Sequence, residues 1–223
     1  LRLAFTEAEK TELEGEVSWR SKTGYKVRWL DGDEVRAIDP RLSPQVVGAL
    51  STEGTAMLDP YRHVLALAQA AERLGAGFRH GNVVGLKRDG SRVSAVRFRD
   101  SELRCDTLVL ATGPWGQGAS EWRGIRVPME PLKGQILRLR TEPPPLSHHL
   151  WYAHGYAASK PDGLVWAGTT EERVGFDEGL TRAARDSIME IALKILPSLV
   201  DAQVVQQTAC LRPLSADGLP IIG

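Results

Sequence analysis

The chain has 223 residues, 42% of them hydrophobic, and its 28 Lys+Arg balance 28 Asp+Glu to a formal net charge of zero. That length holds one large domain or two small ones, with ample material for a core. Neutrality argues against nucleic-acid and acidic-membrane partners, and apolar runs such as Thr107-Leu-Val-Leu-Ala111 fall far short of a spanning helix.

Residues 1–5 alternate as a strand, and Thr6 caps a charged helix over about 7–14. Residues 26–30 read as a second strand, Asp31-Gly32 as a turn, 34–38 as a brief helix and 46–50 as a third strand. The clearest helix opens at Asp59-Pro60, an N-cap acid with proline at the first helical position. It carries Val64, Leu67, Ala68, Ala71 and Leu74 on one face and ends at Gly75. Residues 83–88 and 92–99 form a hairpin about Asp89-Gly90, which 103–106 extends to a three-stranded meander. Residues 107–113 lack alternation and end in glycine, the pattern of a central strand buried on both faces whose end lets a ligand approach the backbone.

Further along, 127–140 holds another strand, with Gly134 in a turn or bulge, and Pro143-Pro-Pro145 is an extended linker. Residues 152–159 and 164–169 flank a hairpin turn at Lys160-Pro-Asp-Gly163. Residues 181–196 form an amphipathic helix with Ala184, Ile188, Ile191, Ala192 and Ile195 on one face, and 204–211 return as a strand.

Arg212 closes that strand among Ala209, Cys210, Leu211, Pro213 and Leu214, with no carboxylate before Asp217. A guanidinium cannot lose its proton, so apolar surroundings oblige it to find a partner, and its planar fork suits a carboxylate. That partner is either an internal acid or a ligand, and on residue types alone the internal salt bridge leads. His154 and Tyr156, two apart on an expected strand, point the same way and line one pocket or the face of a mixed sheet. The cluster His148, His149, His154 has no acid or cysteine at ligand spacing, so no metal is expected. Glu171-Glu172 reads as a solvated loop, and Gly113-Pro-Trp-Gly-Gln-Gly118 is not a phosphate loop by spacing. Cys105 and Cys210 are expected as reduced core residues, and the charged Thr6-Glu-Ala-Glu-Lys10 leaves no signal-peptide pattern, which points to the cytoplasm.

The segments Leu58-Asp-Pro60, Asp106-Thr-Leu-Val-Leu-Ala-Thr-Gly-Pro-Trp115 and Val127-Pro-Met-Glu-Pro-Leu-Lys-Gly-Gln135 occur in that order. They are followed by Gly168-Thr-Thr-Glu-Glu172, Gly175-Phe-Asp177, Thr181, Leu211-Arg-Pro213 and Asp217-Gly-Leu-Pro-Ile-Ile-Gly223. Together, across nearly the whole chain, they resemble the FAD-dependent D-amino-acid oxidase superfamily, in particular its glycine oxidase branch. The resemblance implies an α/β fold of mixed α+β character, the two-domain oxidoreductase fold of that type. Members begin with a GxGxxG turn and end with a glycine-rich segment against the flavin. Neither occurs here, so the chain is expected to be an interior portion, incomplete at both ends.

By this similarity, residues 1–57 and 120–209 form the substrate-binding domain, and 58–119 with 210–223 form part of the FAD-binding domain. Val83, Ala111, Thr112, Gly113 and Trp115 then lie against FAD. Arg212 holds the substrate carboxylate, with Tyr156 and His154 at pocket positions. The implied reaction oxidises the C–N bond of a small amino acid or amine, such as glycine, sarcosine or a small D-amino acid, with dioxygen as acceptor. A dimer or tetramer accords with the resemblance. The rival readings are an amine or D-amino-acid dehydrogenase with another electron acceptor, and a cofactor-free fragment retaining only a carboxylate-binding pocket.

Overall fold

The structure is a computed structural model that describes residues 1–222. In chain order its elements are β1 (Arg2–Ala4), α1 (Glu7–Lys22), β2 (Val27–Asp31), α2 (Gly32–Ile38), β3 (Gly48–Thr52), α3 (Pro60–Arg73), β4 (Val83–Asp89), β5 (Arg92–Phe98) and β6 (Glu102–Arg104). A 3-10 turn (Gly113–Trp115) then leads into α4 (Gly116–Arg123), β7 (Met129–Arg140), β8 (Leu150–Tyr152), β9 (Gly155–Ser159), β10 (Val165–Gly168), α5 (Arg182–Ile195), a second 3-10 turn (Pro197–Asp201) and β11 (Gln203–Ser215). These fall into two units. One comprises Leu1–Asp59, Lys133–Glu172 and Asp177–Cys210, and the other Pro60–Leu132, Arg173–Phe176 and the chain from Leu211 onward. Residues 120–132, placed by the sequence reading with the first group, cluster with the second.

The first unit is built on an eight-stranded mixed sheet in the order β11-β7-β10-β9-β8-β1-β3-β2, in which β7–β10, β10–β9, β9–β8, β1–β3 and β3–β2 pair antiparallel and β1 runs parallel to β8. Helix α5 covers one face: its Ile188, Ala192 and Ile195 pack with Leu137, Leu139, Ala157, Val165 and Ala167 into the main core. Thr181 caps this helix, its hydroxyl accepting from the Ala184 amide at 3.2 Å. On the opposite face, α1 covers only the β1–β3–β2 end, through Leu13 against Ala4 and Leu50. A capping box between Thr6 and Glu9 starts α1. The helix runs on to Lys22, well beyond residue 14, with Arg20 paired to Glu16, one turn back, at 2.8 Å.

Several local expectations change. Asp31 is the N-cap of α2, accepting from the Asp33 and Glu34 amides, so Asp31-Gly32 is a helix entry and not a turn. Gly134 lies inside β7. The expected strand over 152–159 is broken by a reversal at Ala153-His154, where Ala153 adopts φ +49°. That reversal pairs Tyr152 with Gly155 and creates two strands, β8 and β9. Cys105 is half-buried and Cys210 exposed, so neither is a core residue.

The second unit contains the meander β4-β5-β6, turned at Gly90 with φ +61°, together with α3 and α4. Helix α3 forms where the caps and periodicity place it, yet it has no buried residue: Val64 and Leu67 are 64% and 58% exposed. Residues 107–112 belong to no strand. A strand exists by its ladder of hydrogen bonds to neighbours, and no described strand pairs with this segment.

Candidate functional site

In the first unit Tyr156 lies on the sheet face opposite α5, beyond the β1–β3–β2 end that α1 packs on. Alternation decides the members of that face: Ala157, Ala167 and Leu137 point into the α5 core, so their neighbours Tyr156, Gly168 and Ile136 share the other face. Register sets them side by side, Tyr156 opposite Gly168 and Gly168 opposite Ile136, with Trp151 beside Tyr156 at 5.1 Å between ring centroids. A Cβ on Gly168 would meet Ile136 Cγ2 at 2.7 Å and Tyr156 Cε1 at 3.2 Å, so the bare glycine lets both side chains lean over the strand. A tyrosine phenol is protonated at neutral pH and can donate a hydrogen bond, and burial pushes the Tyr156 pKa higher still. His154, expected on the same strand face, is instead exposed in the turn, where two-residue alternation no longer aligns it with Tyr156.

In the second unit, Val83, Ala111, Thr112 and Trp115 line one open cleft of about 920 Å³ with Asn82 and Phe176. Gly113 lines an adjoining cleft of about 670 Å³, which also takes in Ala111 and Thr112. Ala111 and Thr112 thus line both spaces. Gly113 holds φ +51° with nothing within 4 Å of a built Cβ, a backbone that glycine adopts without strain. Phe176 stacks on Trp115 at 5.8 Å with the ring planes 21° apart. Arg212 lies on β11, in the part of the strand that clusters with this unit. Contrary to the apolar surroundings its neighbours suggest, it is exposed, and it takes part in an interaction with another group of the chain.

A polar network that sequence reasoning missed lies in the first unit. Lys133 is fully buried, its ammonium donating to Asp177 Oδ2 at 3.1 Å and standing 3.6 Å from Glu172 Oε2. Buried Gln135 donates from Nε2 to Glu172 Oε1 at 2.8 Å and accepts at Oε1 from the Thr181 amide and from Gln207 Nε2. The Thr170 hydroxyl donates to Glu172 Oε1 at 2.5 Å. Burial alone would raise the Glu172 pKa, but the bonds from Thr170 and Gln135 and the Lys133 charge hold it below the ordinary value. Glu172 is therefore an anchored acid and not a solvated loop residue. The signal was present as two separate stretches, Lys133-Gly-Gln135 and Thr170-Glu-Glu172, whose meeting depends on the fold.

The sequence profile of the family described as "FAD dependent oxidoreductase" (DAO) matches residues 1–223. The chain is 36% identical over 201 residues to the hydrogen cyanide synthase subunit HcnC of Pseudomonas aeruginosa, covering 89% of this chain and 48% of that protein. It is 32% identical over 186 residues to the glycine oxidase of Pseudomonas putida, covering 82% and 51%. Its fold superposes on the crystal structure of the Bacillus cereus glycine oxidase with a TM-score of 0.94 at 27% identity, covering all of this chain and 61% of that one. The chain thus spans about half the length of the curated relatives it matches. Among the described residues no helix is long and apolar enough to cross a membrane. With its mixed α/β sheet and a family match along its entire length, the chain belongs to the FAD dependent oxidoreductase family of the D-amino-acid oxidase type.

Proposed function

We propose that the protein containing this chain oxidises the C–N bond of a small amino acid or amine, glycine, sarcosine or a small D-amino acid, to the imine. FAD is the family's cofactor, and the clefts flanking Ala111–Gly113 suit part of it. The larger has the volume of a small-molecule site, and Gly113 puts no side chain between the backbone and a ligand. Val83, Ala111, Thr112, Gly113 and Trp115 are the residues we assign to holding it. When bound, FAD supplies the redox chemistry, taking a hydride from the substrate Cα and passing the electrons on to dioxygen.

This chain's residues position the substrate. The Arg212 guanidinium grips the carboxylate through two parallel hydrogen bonds. Tyr156, protonated at neutral pH, donates a hydrogen bond to the bound acid. His154, in the β8–β9 turn, offers an imidazole beside that strand. The observation that carries the reading is the sheet face opposite α5, which sets Tyr156 and Trp151 in register with Gly168 and Ile136. A peroxide assay of the full-length protein under air with a panel of small amino acids tests it. Peroxide with glycine or sarcosine supports the reading, and no turnover of any small amino acid refutes it.

The likeness to a hydrogen cyanide synthase subunit favours a second reading, in which the protein acts as a subunit of an assembly; the rival chemistry is a dehydrogenase that passes its electrons to an acceptor other than dioxygen. Substrate-dependent reduction of an artificial dye without peroxide would select it.

A further inference from the structure

Within the first unit, the sheet face that carries Tyr156 continues one row further. Val165, Ala167, Leu137 and Leu139 point into the α5 core, so Trp166 and Arg138 share the face of Tyr156, and register sets Trp166 between Ala158 and Arg138. We propose that Arg138 is a specificity-determining residue: its guanidinium takes one carboxylate of a small acid whose other end accepts a hydrogen bond from Tyr156, so that substrates with two acid groups are favoured. The inference rests on the role given to Tyr156 under the proposed function.

Arg138 lies over the indole of Trp166, its Cζ 4.3 Å from the ring centroid. Stacking engages the face of a guanidinium and leaves the donors in its plane for a carboxylate. Those donors have no internal acid: Arg138 Nε is buried with no hydrogen-bond partner, and among the described residues no carboxylate pairs with the guanidinium. An unsatisfied buried donor is costly, and a leucine or methionine would cover the indole without it. The charged groups about the same ring are already engaged. Asp162 accepts from Trp166 Nε1 at 2.9 Å and from the Leu164 amide at 3.0 Å. Lys160, its ammonium 5.1 Å from the ring centroid, donates to the Leu58 carbonyl at 2.8 Å and adds a second positive charge that favours an anion.

Tyr156 and Arg138 reach over one strand from its two sides, since β10 lies between β9 and β7. Tyr156 leans over Gly168, its Cε1 3.2 Å from a built Cβ there, and Arg138 leans over Trp166. Those two positions are two residues apart on β10, roughly 6–7 Å along the strand. A phenol donor and a guanidinium at that spacing suit the two ends of a four- or five-carbon diacid, whereas glycine is too short to engage both.

The test uses the full-length protein and its Arg138→Met and Arg138→Lys variants, with two readouts. The first is the ratio of kcat/KM for D-aspartate to that for D-alanine, followed as peroxide under air. It should exceed one in the unsubstituted protein and fall at least about tenfold in Arg138→Met, through KM more than kcat, the scale of a lost hydrogen bond to a charged group. Arg138→Lys, a charge without the planar fork, should recover part of the ratio. The second is calorimetric titration with succinate, a dicarboxylate with no C–N bond to oxidise, whose dissociation constant should rise at least about tenfold in Arg138→Met. A ratio unchanged by the substitution, or succinate bound equally by both proteins, overturns the proposal. Should Arg138→Met not fold, Arg138→Gln keeps a neutral polar side chain there and is held to the same outcomes. If the unsubstituted protein oxidises glycine or sarcosine but neither prefers D-aspartate nor binds succinate, the role of Arg138 alone falls. If it oxidises no small amino acid while Arg138 still governs succinate binding, the proposed function falls and the carboxylate site stands.

Discussion

Replacing Gly168 with alanine tests the working face where stability and substrate binding meet. The added Cβ would stand 2.7 Å from Ile136 Cγ2 and 3.2 Å from Tyr156 Cε1, whereas carbon atoms in contact prefer about 3.5–4.0 Å. Gly168 is laddered to Ile136 on one side and to Tyr156 on the other, so the strands cannot spread and the side chains must move. Overpacking of this kind costs about 1–3 kcal/mol. At about 2–4 °C per kcal/mol for a protein of this size, the melting temperature should fall by roughly 2–12 °C. The displaced Tyr156 ring should also weaken substrate binding, since a misplacement of about 1 Å can cost about a hundredfold in rate. Ile136→Ala removes the clashing methyl, so the double variant should be more stable than the sum of the two single losses. Melting curves and substrate titration of the four proteins read both effects. An unchanged melting temperature for Gly168→Ala, or strict additivity with Ile136→Ala, would refute the packing argument.

Two further outcomes follow from the core and the carboxylates. Ile195 is wholly buried in the cluster beneath α5, and Ile195→Ala should cost about 2–5 kcal/mol in denaturant unfolding, whereas a loss below about 1 would mean the cluster is not the core. Asp39 is held low by the Arg41 hydrogen bonds. In Glu16 and Glu172 the upward push of burial is outweighed by bonds from Arg2 and Arg20 and from Thr170 and Gln135. Carboxylates with lowered folded pKa values contribute fully above their unfolded values, about 4, and lose that contribution as pH falls through the folded ones. Melting temperature should therefore hold between pH 7 and 5 and fall below about pH 4, and a rise on acidification would contradict the assignment.

What the sequence made legible is what local rules determine. Helices α3 and α5 were readable because Asp59-Pro60 and Thr181 mark their starts and a 3.6-residue period marks their faces. The meander was readable from Asp89-Gly90. The segment 107–112 misled because its apolar run says strand, while a strand's existence depends on neighbours elsewhere in the chain. The turn at Ala153 carried no glycine or asparagine to announce its positive φ, and that silence put His154 on a strand it does not occupy. Lys133 carried no local signal of burial or pairing, because its two partners come from a distant stretch of chain. At the cleft, Val83, Ala111, Thr112 and Trp115 were named by family resemblance alone, and the fold does bring them to one space.

Arg212 is proposed to hold the substrate's carboxylate. The most direct measurement is anaerobic titration of the full-length protein and its Arg212→Ala variant with glycine or sarcosine, following loss of the oxidised flavin absorbance. A hydrogen bond to a charged group is worth about 1.5–3 kcal/mol, so the variant should keep its flavin spectrum yet need at least about tenfold more substrate for half-reduction. Half-reduction at the same substrate concentration in both proteins would contradict the account.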